Sequence, residues 1–375
     1  MGFLQDLIDS LLIGLGFFYK ALWPILLGVF ITALIDTLVN KDKMADILGG
    51  RDLLSTGKAS VAGAISSACT FGAVTITGTL FKKGASSESS FAFSFASTNL
   101  VFELGILIYI LLGPAFLAAE LLGGVVLIAI MYLLLRLTLP EKTFEQARAR
   151  LQEQDLGSGL EAFKQGVHSP GTWKEQLSTR AGWQRVARQY FQTIGRIYKS
   201  VVWGFLLAGL IIGLVPEGFW PALFPASDSF AGVTANASLG VLAGVFSFIG
   251  SIGNVPFAAA LWASGVSFGG VVALIYADLI TIPVLDLWRR FLGWKATAYV
   301  FVIFFVTMVV AAVLMEYLFD TLGWIPERLR GATLEDFLAV KFDFTLVMTV
   351  LSLLGTALLL WLRQTQSARY ASGSQ

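Results

Sequence analysis

Residues 66–105, SSACTFGAVTITGTLFKKGASSESSFAFSFASTNLVFELG, constrain this chain most, because they set hydroxyls, an amide and a carboxylate inside an otherwise membrane-like run. Two apolar arms meet a kink at Cys69-Thr70-Phe71-Gly72, turn at Lys82-Lys83-Gly84 and return through Ser97-Thr98-Asn99 to Glu103. The plan recurs over 247–286 at a constant offset of 181, pairing Gly72 with Gly253, Val74 with Val255, Leu80 with Leu261, Gly84 with Gly265, Ala92 with Ala273 and Ala96 with Ala277. Irregular backbone in hydrocarbon survives only where protein or a water cavity satisfies it. The breaks at 69–72 and 250–254 are therefore expected to face each other.

Composition fixes the solvent. Of 375 residues 56% are hydrophobic and 14% charged, with a mean hydropathy of +0.75, against about 25% charged in a soluble domain. The net charge of +1 offers nothing to nucleic acid, so the lipid bilayer is the expected partner. One cysteine, Cys69, excludes an intramolecular disulfide, and one histidine, His168, excludes a His-rich metal cage. No cofactor is expected. Nothing reads as an enzyme: there is no phosphate-binding GxxxxGK[ST] loop and no paired nucleophile and base. No cleavable leader is expected either, since Asp6 and Asp9 precede the first basic residue, Lys20.

Hydropathy divides the chain into a first transmembrane repeat (1–138), a cytoplasmic linker (139–199), a second repeat (200–320), and an interfacial segment with a C-terminal span (321–375). An interfacial helix over 4–16 leads into a span at 17–39. Segments 59–81 and 234–264 carry the breaks, and 89–112, 114–138, 200–220, 267–288, 297–319 and 344–363 read as spans. If every segment crosses, Lys and Arg are only weakly biased between the two sides. If 59–81 and 234–264 return to the side they entered, all 26 fall on one side except Arg328, Arg330, Lys341 and the intramembrane Lys20. The predicted fold is all-α and polytopic. It has two inverted repeats, each of about three spanning helices plus one broken or re-entrant segment, and one extra C-terminal span. The N-terminus lies outside, the C-terminus and linker inside.

The candidate substrate-binding residues are Cys69, Thr70, Thr75, Ser97, Asn99, Ser251 and Asn254. Four carboxylates fall within spans, each costing about 2.5–3.5 kcal/mol at a helix centre. Glu103 and Asp278 are the candidates for ligand contact or proton coupling, Asp286 pairs with Arg289, and Glu120 reaches the outer interface. Gly28 and the Gly123-Gly124 pair are places where a homodimer could pack closely.

The blocks FKKGA, ASTNLVFELGILIYILLG and FSFIGSIGNVPFAAALWASGVSFGGVVALIYADLITIPVLDLWRRFLGW resemble the bacterial predicted-permease family that includes the organoarsenical efflux permeases. The resemblance covers about 17–138 and 200–319. It implies an inner-membrane permease, with arsenic resistance through export of trivalent methylated or aromatic arsenicals as the best-known activity. Tight two-thiolate binding of As(III) is beyond a chain whose one thiol is Cys69, which leaves transfer of a neutral or loosely held species. The sequence leaves two alternatives to a secondary exporter: a channel-like permease for a small anion or reduced sulfur compound, and a non-transporting anchor subunit.

Overall fold

The computed structural model describes residues 3–38, 50, 52–66, 70–153, 177–216, 219–224, 229–247, 250–327 and 344–372, and every regular element among them is helical. Seven of these helices are long and apolar enough to cross a membrane, or eight if the bent pair Ser87–Asn99 and Phe102–Leu112 forms one span. The chain is an all-α, multi-pass membrane protein.

The first half comprises α1 (Phe3–Leu38), α2 (Leu53–Ser66), α3 (Thr70–Lys82), α4 (Ser87–Asn99), α5 (Phe102–Leu112) and α6 (Pro114–Thr138). Then α7 (Glu141–Glu153) leads to the second half: α8 (Arg180–Leu214), α9 (Phe219–Leu223), α10 (Phe230–Ser247), α11 (Ser251–Ala263), α12 (Phe268–Tyr276), a 3-10 turn (Ala277–Ile280), α13 (Ile282–Leu292) and α14 (Trp294–Thr321). The last helix is α15 (Phe344–Ser372). Shifted by 181, the bounds of α3 become those of α11, and α4 falls on α12 plus the 3-10 turn.

The correspondence reaches single bonds. Gly84 and Gly265 both turn the chain at positive φ, 103° and 101°, which glycine adopts without strain. Ala85 N–H donates to Leu80 O and Val266 N–H to Leu261 O, closing each helix end with the same wide loop. Ser86 then caps α4 by accepting from Ser89 N–H, as Ser267 caps α12 by accepting from Gly270 N–H. A side chain at Gly63 would strike Phe93 O and Ala96 of α4, and one at Gly244 would strike Leu274 O and Ala277. The small residues of α2 and α10 thus admit their partner helices closely. Outside the spans, Asp52 starts α2 by accepting the Ser55 hydroxyl (2.6 Å) and N–H (3.3 Å). Those bonds, the hydroxyl's foremost, hold its carboxyl below the usual aspartate range.

Burial grades the helices. Every residue of α12 and of the 3-10 turn is buried, whereas α13 buries only Val284, Trp288 and Leu292, so α12 and the turn form the centre and α15 lies against α1 and α8 with most of its surface free. The longest contact joins α1 to α8, through Ser10 and Gly14 on one helix and Gly209 and Gly213 on the other. This four-residue spacing of small residues on both helices suits close packing in lipid.

Several expectations change. The interfacial helix at 4–16 and the span at 17–39 are one continuous helix, Phe3–Leu38, which packs closely on α8 at Gly14. Segments 89–112 and 267–288 are broken rather than straight, the first bent by 43° at 100–101 and the second at the 3-10 turn. The start of α8, read as linker, is regular helix from Arg180, and α7 packs on α3, α13 and α14. There Arg148 lies 4.4 Å over the Phe81 ring and donates to Ala85 O at 2.6 Å. Linker residues 154–176, with His168, lie outside the described residues.

Candidate functional site: two helix starts on one carboxylate

Thr70 opens α3 and Ser251 opens α11. Their hydroxyl oxygens are 2.7 Å apart. The two positions are one repeat offset, 181 residues, apart in the sequence. Ser251 Oγ donates to Asp278 Oδ2 at 2.5 Å, and Thr70 Oγ1 reaches the same oxygen at 3.2 Å. Asp278 sits in the 3-10 turn, 1% exposed. Two helices thus turn their N-terminal ends, which carry partial positive charge, toward one buried carboxylate.

Around this centre, polar atoms are left over. Asp278 Oδ1 is buried without a hydrogen-bond partner. Asn254, one turn into α11 and fully buried, accepts from Ser247 Oγ at 3.2 Å, while its Nδ2 is unpartnered. Asn99 closes α4 by donating to Phe95 O and Thr98 Oγ1, both at 3.1 Å, with Oδ1 unpartnered. Buried polar groups nearly always find partners in a resting fold, so leftover capacity at facing helix breaks is what a polar ligand would use.

Of the residues expected in the site, Thr70, Ser251 and Asp278 come together. Asn254 and Asn99 lie buried at the breaks. Thr75 does not join them: its hydroxyl bonds Phe71 O of its own helix at 2.8 Å. Ser97 likewise bonds Ser94 O at 3.0 Å, as hydroxyls in helices often do. Glu103 faces α1, where Thr32 donates to it at 2.8 Å and Gly28 sits against its side chain. Cys69 lies outside the described residues. Asp286 pairs with Arg289 at 2.6 Å and with Arg290 at 2.8 Å.

Two residues are placed otherwise than the sequence suggested, or were missed by it. Glu120, expected at an interface, is 2% exposed inside the bundle. The cause is the small face of α6, on which Gly123 adjoins Tyr276 and Gly124 adjoins Leu100 and Asn99. Tyr276, fully buried, donates to Ala119 O at 2.7 Å. Its position two residues before an intramembrane aspartate was the available signal. Gly28, Gly123 and Gly124 all serve contacts within the chain.

Helices broken at mid-bundle, with their starts converging on a buried carboxylate in a multi-pass helical protein, define the class of membrane permeases. Comparison places the chain within that class: residues 8–317 match the family described as "Predicted permease", and the chain belongs to that family. It is similar to "Putative permease Rv2963" of Mycobacterium tuberculosis, 34% identical over 324 residues that cover 86% of this chain and 79% of that protein. No solved structure matches.

Proposed function

We propose that the protein is a secondary transporter of two inverted repeats that exports a small solute, a trivalent organoarsenical or related metalloid species, across the bacterial inner membrane in exchange for protons. The observation that carries this reading is the contact of Thr70 with Ser251 on Asp278. Equivalent helix starts meeting at one acid form a centre that either face of the membrane can reach in turn. Asp278, charged, holds both hydroxyls; protonated, it releases them to a neutral As–OH group. Cys69 immediately precedes Thr70 in sequence and offers the chain's one thiol to As(III).

Asymmetry between the halves supports alternating access. Helix α1 packs on α5 and helix α8 on α11, whereas the equivalent pairings of α8 with α13 and α1 with α3 are not comparably made. Exchanging the conformations of the halves would trade these contacts for their equivalents. The charge bias sets the linker and C-terminus inside and the N-terminus outside.

The test is methylarsenite export from cells expressing Asp278→Asn, Ser251→Ala, Asn254→Ala or Glu103→Gln at wild-type membrane levels. Asp278→Asn and Ser251→Ala should lose about tenfold or more, as expected when a charged hydrogen bond at a binding centre is removed. Export unchanged in all four sinks the reading.

A further inference from the structure

Glu120 has both carboxylate oxygens buried without a hydrogen-bond partner. The Tyr276 hydroxyl gives its hydrogen to the carbonyl of the preceding residue, Ala119, instead. Packing does not demand an acid there, because the equivalent position of the second half is Phe301. A carboxylate kept in a bundle without donors is a functional group by default.

We propose that Glu120 is a proton-carrying residue of the transport site, holding a proton in the conformation described and exchanging it during the cycle alongside Asp278. This deepens the transport reading and rests on it. Ala119, next to Glu120, accepts the hydroxyl of Tyr276, which stands two residues before Asp278, and one turn on Gly123 and Gly124 adjoin Tyr276 and Asn99. The buried side of α6 that carries Glu120 therefore meets the site. A carboxyl with no donor at either oxygen is accommodated in such surroundings as the neutral acid.

Among the other ionisable groups on the elements packed against α6, Tyr109 of α5 and Lys295, Tyr317 and Asp320 of α14 are exposed. Glu103 of α5 faces Thr32, and Glu316 of α14 accepts the Gly269 N–H. Glu88, buried with Oε2 unpartnered, lies in the first turn of α4, and Tyr299 bonds Thr138 at the end of α6 opposite Glu120. The step is a simple protonation: the Glu120 carboxylate takes H⁺ from the side of higher proton activity to become the acid, and returns it on the other side when solute movement has exposed it there. A sodium ion would instead need several oxygens converging on the same carboxylate.

The experiment uses full-length protein in liposomes, with two readouts. Dicyclohexylcarbodiimide adds to protonated carboxylic acids in apolar surroundings, and mass spectrometry locates the adduct. Glu120 should be modified near neutral pH, with modification declining as the medium is made alkaline. Methylarsenite transport is then followed under an imposed pH gradient and as counterflow at equal pH. Glu120→Gln should lose the gradient response by about tenfold while counterflow falls less, and Glu120→Asp should recover part of that response.

An unmodified Glu120 overturns the proposal. So does a Glu120→Gln protein that follows the pH gradient like the wild type, or transport driven by a sodium gradient. If Glu120→Gln fails to fold, wild-type modification and the Glu120→Asp gradient response decide. Wild-type vesicles that move no methylarsenite overturn the transport reading itself, whatever the modification shows.

Discussion

At Gly123 the fold leaves no room for a side chain, since a methyl there would meet the Tyr276 hydroxyl and, at 3.2 Å, Met315. Gly123→Ala should therefore destabilise the protein by about 1–3 kcal/mol through overpacking. Tyr276→Phe alone should cost about 1 kcal/mol through the lost bond to Ala119 O, yet in combination it should restore part of the Gly123→Ala loss. Thermal unfolding of the two single variants and the double variant in detergent gives the coupling; strict additivity would show that the residues do not share that space. Much of the centre could be read from spacing alone, because Thr70 and Ser251 are one offset apart and Asp278 follows in the same repeat. Glu120 and Glu103 could not. Each lies on a helix apolar on every side, so the sequence carries no mark of which face meets protein, and a bend just before Glu103 redirects its face to α1.

Among the elements, the fresh helix starts at Thr70 and Ser251 were legible because small and polar residues interrupt long apolar runs, although 70–72 and 251–254, read as kinks, are regular helix. The second break in each half was not. In the second half Pro283 at the start of α13 marked it, but the first half has Phe102 at that position. There the helix ends because Ser97, Thr98 and Asn99 bond carbonyls of their own last turn. Helix α7 makes a different case, since its charged sequence suggested a linker and its contacts make it a brace over the Gly84 turn. Arg148→Ala removes both the bond to Ala85 O and the contact with Phe81, a loss of about 1–2 kcal/mol. Trypsin should then cut faster at the exposed Arg150. Cleavage at the wild-type rate would show that α7 is held by other means.

For the molecule as a whole, the contact register of α1 and α8 is the informative quantity. Ser10 and Gly14 meet Gly209 and Gly213, while the position equivalent to Gly14, Gly195, meets nothing within 4 Å. In the exchanged conformation Gly195 would take the place now held by Gly14, against Gly28, and Gly209 would take the place of Gly28, now against Glu103. A cysteine pair at Gly209 and Val284 in a Cys69→Ala background should then cross-link only when the protein cycles. Gly195→Leu should leave folding within about 0.5 kcal/mol of wild type, as an uncrowded surface change does, and abolish that cross-link. A cross-link formed equally with and without Gly195→Leu would rule out the exchange.

If the halves exchange conformations as proposed, the repeat would give the two states matching contacts, but Asp278 has Ser97 as its counterpart. A charge present in one half and missing from the other tilts an otherwise level balance. On the transport reading such unmatched acids, Asp278 foremost, would set which side the resting protein faces, while the gradients set the direction of net movement. Moving the acid, by Ser97→Asp with Asp278→Ser, would turn the preferred resting side around without altering a single helix.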